Sequence, residues 1–214
     1  MTDAAITGTV VSAWLQEAER IVVERADYLT QLDAAIGDGD HGTNMSRGFK
    51  GLGDALRGQD DGQAPGATLR LAGKTVLSTV GGASGALWGS ALRAAGRSLG
   101  EADVAGDAEF VAAIDAAVAA VVDLGAASPG DKTMVDALVP ARDALRAAVE
   151  GGRPLAEAAR DAADAAAQGA KESTAMEARK GRASYLGPRS VGHPDPGATS
   201  TAMVFDALAR TLSG

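Results

Sequence analysis

The six residues Gly37-Asp38-Gly39-Asp40-His41-Gly42 put two carboxylates, an imidazole and three glycines in consecutive positions. Three chemistries use such a stretch. As a GxGxxG dinucleotide-binding pattern it would need a preceding strand within a βαβ unit, and the preceding segment reads as helix. Asp38 and Asp40 would also face the pyrophosphate, a repulsion that only an intervening cation removes. As a calcium loop starting at Asp38, the ligand positions fall on Asp38, Asp40, Gly42 and Phe49, so half of the oxygen donors are missing. The third reading adds Asp33, giving one carboxylate at a helix end and two more on a sharply turned loop. Three hard oxygen donors with no cysteine nearby suit Mg²⁺, which keeps waters and shares its shell with substrate phosphates. From spacing alone a plainer reading stands beside it, with Asp38 and Asp40 as turn formers and Asp33 as a solvated cap.

Glycine-rich stretches recur at 36 to 44, 80 to 85 (VGGASG), 128 to 134 (SPGDKTM) and 192 to 200 (GHPDPGATS). Each precedes a predicted helix, and glycine costs stability unless the backbone needs positive φ or a close approach. A tight turn feeding a helix N-terminus presents free N–H groups and the positive end of the helix dipole to anions. Four such turns in an up-and-down helical array can converge on one end of it. A further stretch, Ala72-Gly73-Lys74-Thr75, ends like a Walker A loop. The first glycine of that pattern would fall on Thr68, and the segment reads as helix interior.

The elements that must position these residues are helical. Candidate helices run from near Thr7 to about Tyr28, then over 43–56, 67–79, 83–99, 107–127, 132–149, 154–178 and 197–212. Val10, Trp14, Ile21 and Leu29 lie on or near one stripe at helical spacing. The segment 58–66, with its glycines, the Asp60-Asp61 pair and Pro65, reads as a loop. Gly151-Gly152 and Pro154 mark a helix stop and start, and Asp107 and Asp131 read as N-caps. No alternation long enough for a strand appears. The Ala-rich run 155–170 keeps an apolar face between its charges and reads as a packing helix. Hydrophobic residues make up 46% of the 214, enough for one core, so residues 1–214 are expected to form one domain. Aromatic residues are only 3%, which favours thin helix–helix interfaces.

A net charge of −8, with basic residues scattered along the chain, leaves no positive stripe for nucleic acid. The absence of cysteine excludes disulfides and thiolate zinc sites. No apolar run approaches the roughly 20 residues of a membrane span. With a polar start after Met1, a soluble cytoplasmic protein is expected.

Four long motifs, LDAAIGDGDHGTNMSRGF (32–49), VGGASGALWG (80–89), PGDKTMVDALVPA (129–141) and ARKGRASYLGPRSVGHPDPGATS (178–200), together resemble the nucleotide-binding L subunit of bacterial dihydroxyacetone kinases. The resemblance runs in one order through nearly the whole chain. It implies an all-α fold, an eight-helix antiparallel up-and-down barrel with ADP or ATP at one rim, held through two Mg²⁺ ions. The metal ligands it implies are Asp33, Asp38 and Asp40. The nucleotide contacts are His41, Gly42, Thr43, Asn44, Ala83, Ser84, Gly125, Met134, Arg182, Asp195, Pro196 and Gly197, with Met134 against the base. Arg182 is expected to stabilise charge on the transferred phosphoryl group; His193 receives no role.

The resemblance further implies half an enzyme. Dihydroxyacetone would be held by a separate K subunit, and a phosphohistidine-carrying M subunit would recharge resident ADP, as the DKTM and HPDPG regions suggest. Two alternatives remain: a free-ATP-dependent kinase of another ketose such as erythrulose, and a regulatory module acting on a transcriptional regulator. Intact Asp33, Asp38 and Asp40 argue against pure regulation.

Overall fold

Small side chains at helical spacing let helices approach closely, and the Ala-rich segment shows the result most directly. Ala158, Ala159, Ala162 and Ala166 are fully buried on α8 (Leu155–Glu172), which packs between α7 (Val135–Glu150) and α9 (Pro196–Ser213). At Gly169 the approach is closest, because a Cβ there would lie 2.0 Å from the Asp136 carbonyl oxygen on α7. The remaining helices are α1 (Gly8–Glu24), α2 (Ala26–Ile36), α3 (His41–Arg57), α4 (Pro65–Thr79), α5 (Gly82–Leu99) and α6 (Asp107–Gly125). These come from a computed structural model that describes residues 5–59 and 62–214. The Asp60-Asp61 pair of the expected 58–66 loop lies outside the described residues.

Packing closes the helices into a ring. α1 packs on α3, and each of α3 to α9 packs on the next before α9 returns to α1. This is the expected eight-helix antiparallel barrel. Among the described residues a ninth α-helix, α2, lies outside the ring against α3 and α9. The expected first helix is therefore two: the backbone departs from helical values at Arg25 (φ −100°, ψ 12°) and re-enters a helix that carries Asp33 toward the rim. The two tryptophans and three phenylalanines are buried in the core, while Tyr28 and Tyr185 are exposed. Trp14 meets Phe110 edge-on at 6.1 Å, Phe49 meets Trp88 edge-on at 6.5 Å, and Trp14 Nε1 donates to the Val204 carbonyl at 2.9 Å. A two-residue antiparallel pairing of β1 (Ile6–Thr7) with β2 (Val104–Ala105), too short to leave a sequence pattern, joins the start of α1 to the α5–α6 connection.

Other departures have local causes. The expected 154–178 helix ends at Glu172 because later hydrogen bonds are claimed elsewhere. The Thr174 carbonyl accepts from Gly192 N (2.8 Å), and Ala178 N donates to Ser190 Oγ (2.9 Å) instead of continuing the helix. A 3₁₀ turn (Ser173–Ala175) and a kinked 3₁₀ segment (Arg182–Ser190) follow. α7 starts at Val135 rather than 132. Asp131 is not its cap; the Asp136 carboxylate instead reaches back to accept from Gly130 N (2.5 Å) and Thr133 N (2.8 Å). Asp107 is the first residue of α6, with Gly106 in the cap position.

Gly169→Ala is predicted to lower stability by about 1–3 kcal/mol, the usual cost of overpacking, seen as a lower thermal midpoint. An unchanged midpoint would mean that α7 and α8 separate freely.

Candidate functional site

Because the barrel runs up and down, every second helix begins at the same rim. α3, α5, α7 and α9 do so, each after one of the glycine-rich turns, and their first turns surround a cleft of about 440 Å³. His41 contributes from α3, Ala83 and Ser84 from α5, Met134 from the turn into α7, and Pro196 and Gly197 from α9. One side of the cleft is apolar, formed by Leu87, Val121, Leu124, Ala127 and Met134 with Gly125 among them. The other is polar, with Asp33, Arg182, Asp195 and Lys132. Apolar wall, exposed amide dipoles and charge suit a ligand with a flat apolar part and an anionic tail.

Asp33, Asp38 and Asp40 meet beside the cleft, each offering an oxygen within 4.8 Å of the others. Asp33 organises the loop: its Oδ2 accepts from Asp40 N (2.9 Å) and His41 N (3.1 Å), satisfying amides at the start of α3. The capping role and the cluster are thus properties of one side chain. Gly37 makes room for it, since a Cβ there would lie 2.1 Å from Asp33 Oδ1, and Gly39 turns the chain with φ +73°. An all-oxygen, all-carboxylate set with two members exposed to incoming water fits a hard divalent cation such as Mg²⁺. Arg182 Nη2 lies 3.0 Å from Asp38 Oδ2 and supplies a positive charge to the cluster.

Not every expected contact lines the cleft. Gly42 is a packing residue, since a Cβ there would sit 1.9 Å from the Ala26 carbonyl oxygen on α2. Thr43 is exposed. The Asn44 side chain is buried and turned to Arg47, whose Nη2 donates to its Oδ1 at 2.8 Å beside the Gly81-Gly82 turn. All three lie in the first turn of α3 next to the cleft. His193 contributes through its backbone carbonyl, which accepts from Lys132.

Lys132, absent from the expected site, holds the polar wall together. It is buried, adopts a left-handed backbone (φ +61°), and its Nζ donates to the carbonyls of Ser173 (2.6 Å) and His193 (2.5 Å). One ammonium thereby ties the α6–α7 turn to the end of α8 and the turn before α9. Ser173 Oγ accepts from Asp195 N at 2.8 Å, and Asp195 Oδ2 caps α9 by accepting from Ala198 N at 2.7 Å. Burial lowers the Lys132 pKa, opposed by the charges of Asp195 and Asp136. Burial pushes Asp195 up to about 7, opposed by the Ala198 amide and by Lys132. A lone loop lysine reads as solvated in sequence, and only its left-handed backbone and buried carbonyl partners distinguish it.

The fold and site define an α-helical barrel whose rim gathers four helix starts and three carboxylates around one cleft. The DAK2 domain family model matches residues 35–210, and the chain belongs to that family. It is 40% identical over 206 residues to the PEP-dependent dihydroxyacetone kinase ADP-binding subunit DhaL of Escherichia coli K12, covering 96% of this chain and 97% of that subunit. It is 45% identical over 207 residues to the L-erythrulose 1-kinase of Mycolicibacterium smegmatis, covering 95% of this chain but 35% of that enzyme. The crystal structure of the C. freundii dihydroxyacetone kinase with AMP-PNP and Mg²⁺ superposes with a TM-score of 0.73 at 28% identity, over 98% of this chain and 35% of that one. The chain thus spans nearly all of a subunit-length relative and about a third of the longer kinases. Among the described residues, no helix is long and apolar enough to cross a membrane.

The Asp195 environment has a pH signature. A carboxyl raised from 3.8 to about 7 in the folded state binds more protons folded than unfolded between those values. Wild-type stability, measured against Asp195→Asn, is therefore predicted to be highest below about pH 4 and to fall as pH rises to about 7. A difference that stays flat across that window would show that the carboxyl titrates normally.

Proposed function

We propose that residues 1–214 form the nucleotide-binding domain of a dihydroxyacetone kinase. Its ADP or ATP would be presented to dihydroxyacetone held by a partner K-type subunit. The observation that carries this reading is the convergence of four helix starts and the Asp33–Asp38–Asp40 cluster on one cleft, in a chain matched end to end by ADP-binding subunits of such kinases.

In this reading the apolar wall, Met134 included, takes the adenine, with Gly125 leaving room for its edge. Backbone N–H groups of Ala83, Ser84 and Gly197 hold phosphate oxygens, with Pro196 fixing the turn before Gly197, while His41 and the adjoining turn through Asn44 position the loop beneath them. Asp33, Asp38 and Asp40 would hold two Mg²⁺, which when bound neutralise the polyphosphate and the charge on the transferring group. Arg182, paired with Asp38 and largely exposed, is placed to turn from the carboxylate toward that same charge. The transferred group passes in line between oxygens, so this chain's task is positioning and charge stabilisation rather than covalent chemistry.

Likeness to PEP- and PTS-dependent ADP-binding subunits supports ADP as a resident group recharged in place by a phosphohistidine-carrying M-type subunit. Likeness to erythrulose kinases favours a second reading with another ketose. The nucleotide half would be unchanged, and the ketose-holding partner would decide between them.

Calorimetry of ADP binding tests the assignment. Tight binding is expected with Mg²⁺ and not with EDTA. In Asp38→Ala the Mg²⁺-dependent component should be lost while the helical circular dichroism is unchanged; undiminished affinity in that variant would sink the metal assignment.

A further inference from the structure

His41 is buried between two serines on different helices. Its Nδ1 lies 3.2 Å from Ser84 Oγ on α5, and its Nε2 lies 3.0 Å from Ser200 Oγ on α9. Which nitrogen carries the proton follows from Ser200. A hydroxyl has one proton, and that of Ser200 is directed to the Gly197 carbonyl at 3.1 Å, an atom that can only accept. With that proton on the Gly197 carbonyl, Ser200 Oγ is left to accept from the ring, an arrangement that puts the imidazole proton on Nε2. The Pro196 carbonyl, another acceptor on α9, is also a hydrogen-bond partner of the ring. With Nε2 the donor, the neutral ring's Nδ1 is an acceptor, and the Ser84 hydroxyl donates to it.

We propose that Ser200 is a positioning residue: by accepting the His41 Nε2–H it fixes the ring as the Nε2–H tautomer and joins the starts of α3, α5 and α9 around the cleft. The chain of donors runs one way, from Ser84 to His41 to Ser200 to the Gly197 carbonyl. The first link joins α5 to α3, the second joins α3 to α9 and the last lies within α9, and His41, Ser84 and Gly197 all line the cleft. Ser200 itself is fully buried outside the cleft lining, so it acts through His41. Its neighbour Thr201 also donates to Gly197 O, at 2.8 Å, so that carbonyl stays satisfied if Ser200 is lost. Removing the Ser200 hydroxyl therefore changes the ring's support without orphaning the backbone. The consequence for ligand affinity rests on the nucleotide reading above; the tautomer does not.

The chain contains two histidines, so the ring nitrogens can be resolved by long-range ¹H–¹⁵N correlation spectra, with His193→Gln assigning the pair. The expected wild-type result is a single His41 tautomer protonated at Nε2, with that proton protected from exchange. In Ser200→Ala the Nε2 proton, having lost its Ser200 acceptor, should exchange faster. Mg²⁺-dependent ADP affinity should fall roughly five-fold, the scale of one lost hydrogen bond. A wild-type ring protonated at Nδ1 would overturn the proposal, as would a Ser200→Ala variant in which either the ring spectrum or the affinity is unchanged. If wild-type protein binds no ADP at all, the nucleotide reading fails, and the ring spectra still decide the hydrogen-bond chain.

Discussion

Three carboxylates within 4.8 Å of one another repel, and the rim of this barrel is organised around that repulsion. At about 5 Å two unit charges repel by about 1 kcal/mol in water and several-fold more near a protein surface. The chain offsets part of this with its own groups: two amides at the start of α3 donate to Asp33, and Arg182 pairs with Asp38. The remainder is a standing demand for cations. The α3, α5, α7 and α9 termini beside the cluster make the opposite demand, for an anion. A single ligand that carries both signs, such as the metal-bound polyphosphate proposed above, would satisfy the two together.

The topology explains why the two demands meet. An up-and-down ring delivers alternate helix starts to one end, so the four glycine-rich turns need no further device to converge. What they need is clearance. Gly37 leaves room for the Asp33 carboxylate, and Gly42 lets α3 lie against α2. Lys132 does the comparable work elsewhere in the polar wall, where one buried ammonium replaces the backbone pairing that irregular loops lack.

Much of this was legible in the sequence because glycine turns, N-cap chemistry and carboxylate spacing are local signals. The eight ring helices and the Asp33–Asp38–Asp40 cluster could be placed from residue order, whereas His41, Ala83, Ser84, Gly125, Met134, Arg182, Asp195, Pro196 and Gly197, which line or border the cleft, were expected there only through the resemblance to kinase L subunits. What escaped depends on partners distant in the chain. The helix expected through residue 178 stops early because Gly192 and Ser190 take its hydrogen bonds. Lys132 and Ser200 look ordinary until Ser173, His193 and His41 are brought beside them. Gly42 carries a requirement that residue order does not show, since a Cβ there would meet the Ala26 carbonyl oxygen on α2.

The most direct test of the central claim, that four separate turns serve one metal-bound nucleotide, is hydrogen exchange followed by mass spectrometry with and without ADP and Mg²⁺. Protection is predicted to appear together in segments 36–44, 80–85, 128–134 and 192–200, and only when both are present. Protection confined to one of these segments, or independent of Mg²⁺, would contradict the account.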